Sequence, residues 1–63
     1  MSLAQNVQTL RLVAHETKQD LSDATGVPVA TIARVEKSSI RTNPSVLRSL
    51  AEHYHLSVAR LNS

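Results

Sequence analysis

One glycine constrains this chain more than any other residue. Gly26 is the only glycine among 63 residues, and the stretch around it, TKQDLSDATGVPVATIARVEK from Thr17 to Lys37, reads as two short helices folded over it. Thr17 is a good N-cap, and Asp20, three residues on, can return a hydrogen bond to its backbone N–H as a shortened capping box. Leu21 and Ala24 give a narrow apolar face to a helix of about two turns. Gly26 falls where the chain must turn left-handed, a conformation glycine takes without strain. Val27 is placed to fold back onto the first helix. Pro28 cannot continue a helix but is tolerated in the first turn of a new one. Ile32 and Val35 mark the buried stripe of that second helix, with Glu36 beside them.

Helix, tight glycine turn, helix at a steep angle is the helix-turn-helix pattern. The residues that carry it, Thr17, Leu21, Gly26, Val27, Ile32, Val35 and Glu36, are followed by Asn43-Pro44, Leu47, Leu50, Ala51, Leu56 and Leu61. This set, spread over nearly the whole chain, resembles the Cro/repressor family, the lambda-repressor-like (XRE-type) regulators of phages and bacteria. The resemblance implies a sequence-specific, double-stranded DNA-binding transcriptional regulator. Its expected form is a repressor that binds a palindromic operator as a homodimer.

The rest of the chain supplies the remaining helices of an all-α fold. Ser2 with Gln5 reads as a capping box, and Leu3, Val7, Leu10 and Ala14 recur at helical spacing as a core stripe. Asn43-Pro44 is a cap followed by proline at the first helical position. Leu47, Leu50, Ala51 and Tyr54 then form an apolar face on a helix that ends near 53–55. Ser57 can cap a last short helix carrying Val58 and Leu61. Five helices and no strand pattern describe one compact lambda-repressor-like domain over residues 1–63, with no repeat or linker. An end at Ser63 also fits the DNA-binding half of a longer repressor.

Cysteine is absent, which removes disulfides and thiolate metal sites and suits a reducing cytoplasm, whether bacterial or that of a phage host. No run approaches the roughly 18 apolar residues of a membrane span. The net charge of +2 permits nucleic-acid binding without arguing for it, so placement matters more. Lys18, Arg34, Lys37 and Arg41 fall in or just after the motif, whereas Glu16, Asp20, Asp23 and Glu52 lie at or outside its base-reading part. One aromatic residue, Tyr54, leaves no platform for stacking single-stranded bases.

The second helix of the pattern must bury one side and offer the other. Helical periodicity turns Ile32, Val35 and Glu36 inward and Ala30, Ala33, Arg34 and Lys37 outward, with Val29 on the exposed first turn. By resemblance, the base-reading positions fall on Val29, Ala30 and Arg34. Val29 and Ala30 can read only shape and the thymine methyl, while Arg34 can bond guanine O6 and N7 or else a phosphate. Phosphate contacts are expected from Lys18 and Gln19 at a helix N-terminus, from Thr31 on the flank, and from Lys37, Ser38, Ser39 and Arg41 beyond the second helix. Ile40 is expected to anchor that loop from inside.

The resemblance also implies an ion pair between Arg11 and Glu36, tying the first helix to the recognition helix. Two departures stand out. Relatives usually have an apolar residue where Glu16 stands, so either Glu16 turns outward or the loop takes another path. Many have Gly where Ser38 stands. A dimer surface is expected at Leu56, Val58, Arg60 and Leu61, unless Val58 and Leu61 merely finish the core.

Catalysis has little to build on. His15, His53 and His55 are the only histidines, and 53 and 55 would diverge by about 200° on a helix. No cofactor or metal is implied. The alternative reading is an antitoxin- or antirepressor-type protein-interaction module on the same fold, with DNA binding secondary or lost.

Overall fold

The computed structural model describes residues 2–37 and 42–62. Ser2 caps the first helix, its hydroxyl accepting from the Gln5 amide at 3.2 Å. The described residues form five helices: α1 (Leu3–Val13), α2 (Lys18–Thr25), α3 (Val29–Lys37), α4 (Pro44–His53) and α5 (Val58–Asn62). Each later start has a local cause. Thr17 and Asp20 exchange both bonds of a capping box ahead of α2. The Asn43 side chain accepts from the Ser45 amide at 2.8 Å, with Pro44 opening α4. The Ser57 hydroxyl accepts from the Arg60 amide at 3.1 Å and starts α5.

The turn between α2 and α3 is built on Gly26, at φ 78°. A Cβ there would meet nothing within 4 Å, so backbone conformation rather than space calls for glycine. Thr25 reinforces the turn: its hydroxyl donates to the Leu21 carbonyl at 2.7 Å and accepts from the Val27 amide at 3.2 Å. Pro28 stands one residue ahead of α3 rather than inside its first turn. Its carbonyl accepts from the amides of Thr31 and Ile32 and so begins the helical ladder.

α3 lies across α1 and α2, while α5 packs on α1 and α4. Leu21, Ile32, Leu50, Leu61 and Val7 are fully buried at the centre, joined by Leu3, Val27, Val35 and Ala51. Truncating one such leucine to alanine removes its transfer energy and leaves a cavity, about 2–5 kcal/mol. In a domain this short that is much of the total stability.

Two core expectations change. Ala14 is exposed, because α1 ends at Val13 and Ala14 is already its C-cap. Ala24 is exposed too, leaving Leu21 as the buried residue of α2. Leu61 is fully buried within the chain, so of its two readings, dimer surface or core, the burial gives core. Leu56 and Val58 are half-buried against the same core, and Arg60 is exposed.

Candidate nucleic-acid interface

The outward side of α3 follows from what its inward side must do. Ile32 and Val35 are anchored in the core, which turns Ala30, Arg34 and Lys37 to solvent as one stripe at helical spacing. Val29, Thr31 and Ala33 flank the stripe and are half-buried, so less of Val29 and Ala33 is presented than periodicity suggested. The tip of the stripe is small and apolar, and its last turn carries the charge, with Arg34 and Lys37.

Lys18 and Gln19 are exposed at the start of α2. Part of the anion-binding capacity there is already used. The Asp20 carboxylate accepts the Thr17 N–H at 2.9 Å, and the Thr17 hydroxyl accepts the Asp20 N–H at 3.0 Å. The Thr17 backbone and hydroxyl hold the Asp20 carboxyl below its ordinary range, so a negative charge stands beside Lys18. The Gln19 amide donates to Asp23 at 2.9 Å and would have to leave it, or share its protons, to reach a phosphate. Ser38, Ser39, Ile40 and Arg41 lie outside the described residues, as do the contacts expected of them.

Orientation of α3 relies on a clamp. Arg11 is buried on α1, and its Nε and Nη2 donate to the two Glu36 carboxylate oxygens at 2.8 and 3.1 Å. This planar, two-point geometry fixes both distance and angle, which a point charge would not. The Glu36 hydrogen bond, opposed by burial, raises the Arg11 pKa further above its ordinary value. The third donor, Nη1, reaches the Glu16 carbonyl at 2.9 Å, so one guanidinium holds α1, α3 and the corner before α2.

Glu16 does not turn outward. Its carboxylate turns inward and finds partners on α4: Tyr54 Oη donates to Oε1 at 2.8 Å, and His53 Nε2 lies 2.7 Å from Oε2. The seal at this corner is polar, and no buried side-chain nitrogen or oxygen among the described residues lacks a partner. Burial first, and then the Glu16 carboxylate, hold the Tyr54 phenol well above its ordinary pKa. Sequence reading missed these two partners because Tyr54 fits an apolar helix face equally well. Acid, histidine and tyrosine were visible, but only the fold brings residue 16 to residues 53 and 54.

Among the described residues, no group of three His, Cys, Asp or Glu is arranged to hold a metal, and no helix is long and apolar enough to cross a membrane. What the arrangement offers is a rigid helix pair: one helix start and one helix face point outward, and both are braced from behind. That defines a helix-turn-helix unit suited to the major groove of duplex DNA, which is wide enough to admit one helix.

A family model described as Helix-turn-helix matches residues 7–61, from the second core position of α1 to the buried leucine of α5. The chain belongs to this family and is a DNA-binding regulator of the XRE, or Cro/repressor-like, type. No curated protein and no solved structure matches it at a significant level.

Proposed function

We propose that the protein is a transcriptional repressor that binds a palindromic operator as a homodimer, with α3 in the major groove. The observation that carries this reading is the solvent-facing stripe Ala30–Arg34–Lys37, backed by the Arg11–Glu36 clamp. Ala30 and the exposed part of Val29 read shape and the thymine methyl, and their small size lets α3 sit deep. Arg34 bonds a guanine through O6 and N7. Lys18, Gln19, Thr31 and Lys37 hold phosphates, with Ser38, Ser39 and Arg41 extending the grip; these contacts add affinity and salt dependence without choosing sequence.

One such unit covers only a few base pairs, and two related by a two-fold axis read half-sites about one helical turn apart. Leu56, Val58 and Arg60 are the surface proposed for that pairing. Leu61, held in the core, supports it from beneath.

The test is selection of the purified protein on a random duplex pool at two salt concentrations. A palindrome should be enriched, and affinity should fall steeply as salt rises. On the selected site, Arg34→Ala should cost about 1–3 kcal/mol, roughly 5- to 150-fold, with loss of discrimination at one base pair. Lys37→Ala should weaken all sequences alike and lower the salt slope by about one. Binding without enrichment, unaffected by Arg34→Ala, would favour a protein-directed module instead.

A further inference from the structure

Residue 16 sits immediately before Thr17, the cap of α2, and so controls where the start of that helix stands. Its main-chain carbonyl is held by Arg11, which also grips Glu36 at the end of α3. Its side chain uses both oxygens on the last turn of α4, one with His53 and one with Tyr54. The groups thus form two sets of hydrogen bonds joined through residue 16, Glu36–Arg11–Glu16 carbonyl and Glu16 carboxylate–Tyr54/His53, behind the two helices proposed to face DNA. Both carboxylates are largely withdrawn from water, with Glu16 and Glu36 side chains only 17% and 6% exposed. Hydrogen bonds to ionised groups in such surroundings are directional and short, whereas a hydrophobic seal constrains volume but little else.

We propose that Glu16 is a positioning residue for DNA binding: by tying the corner before α2 to the end of α4, its carboxylate sets the start of α2 relative to α3. The inference rests on the DNA-binding reading of α2 and α3. It assigns a role to a residue whose carboxylate faces the end of α4 rather than the outward side of α2 and α3. α4 ends at His53 and is capped by Tyr54 at the corner that precedes α5, so the tether also joins α2 and α3 to the part of the molecule proposed for dimer contact.

The deciding experiment separates stability from affinity. Glu16→Leu with Tyr54→Phe replaces the polar seal by an apolar one and removes the hydroxyl that would lose its partner; His53, 26% exposed, keeps access to water. This double variant should melt within about 5 °C of the parent. Its affinity for the selected duplex, or for a mixed-sequence duplex at low salt, should fall about tenfold. Parent-like affinity in the double variant would overturn the proposal. If the double variant melts far lower, Tyr54→Phe alone, which leaves the carboxylate on His53, is read in the same way, with a smaller loss expected and none overturning the role.

A parent that binds no duplex would instead refute the DNA-binding reading. Amide hydrogen exchange then decides the positioning role by itself. Asp20 and Leu21 amides in the first turn of α2 exchanging about tenfold faster in the variant would support it. Unchanged exchange would refute it.

Discussion

Two corners of this molecule share a backbone and differ in chemistry. Between α1 and α2 the chain runs Ala14-His15-Glu16-Thr17; between α4 and α5 it runs Tyr54-His55-Leu56-Ser57. Both histidines are left-handed, at φ 58° and 57°. In both corners the next amide returns to the preceding helix, from Glu16 to the Arg11 carbonyl at 3.0 Å and from Leu56 to the Ala51 carbonyl at 2.8 Å. These are Schellman turns, and a hydroxyl residue then caps the following helix in each. Leu56 fills its place against the core by apolar contact, as such turns usually do. Glu16 fills the equivalent place with a carboxylate, which had to be supplied with a tyrosine and a histidine. The lesson is that main-chain bonding closes both corners alike, while the residue that seals each one decides what the corner is tied to.

The sharpest way to break the comparison is to remove the guanidinium that only one corner uses. Arg11→Ala would leave Glu36 buried without its partner and release the Glu16 carbonyl. The expected loss is about 3–5 kcal/mol, by urea or thermal unfolding. In a domain of this size such a loss could leave the chain unfolded at room temperature. Arg11→Met, which fills the volume but makes no hydrogen bond, should be nearly as costly unless Glu36 is changed to an apolar residue with it. A small effect from Arg11→Ala would mean that the first corner is held by packing, as the second is.

The same contrast should appear as pH dependence. The Tyr54 phenol is held neutral above its ordinary range, by burial first and then by the Glu16 carboxylate. Below about pH 10 both folded and unfolded chains keep this proton, and its contribution to stability is fully present. Above that pH the unfolded chain loses the proton first, so stability falls as pH rises toward the folded value. One proton gives a slope of at most about 1.4 kcal/mol per pH unit. Unfolding from pH 9 to 11 should show this slope in the parent and lose it in Tyr54→Phe, which itself costs about 1–2 kcal/mol at pH 7. Parallel curves for the two proteins would show that the phenol does not feel the Glu16 carboxylate.

How legible these features were depended on whether they are local. The glycine stop, the caps at Ser2, Thr17, Asn43 and Ser57, and the stripe Ile32–Val35 follow from neighbours a few residues apart, and the helices begin and end where those signals stand. The Arg11–Glu36 clamp came from the family resemblance; spacing alone would have left a buried-side glutamate without an assigned partner. Ala14 and Ala24 misled because alanine is at home on either side of a helix. Glu16 was seen as a departure, but its resolution depended on residues 53 and 54, brought to it only by the packing of α2 on α4. The left-handed histidines carried no warning, since histidine is less expected than glycine at such a stop.

Those histidines give the smallest and most direct measure of likeness between the corners. A residue with a Cβ in the left-handed region costs about 1–2 kcal/mol, and glycine is spared this at the price of a more flexible unfolded chain. His15→Gly and His55→Gly should therefore each stabilise the fold by about 0.5–1 kcal/mol, raising the melting temperature by roughly 2–8 °C. Because the two backbones match within a degree in φ, the gains should be equal and, with the sites in separate corners, additive. If His15→Gly gains less, the hydrogen-bonded Glu16 side chain that follows it must hold the first corner in shape without help from the main chain. Equal gains would show that the backbone closes both turns alike and that Glu16 and Leu56 differ only in what each ties its corner to.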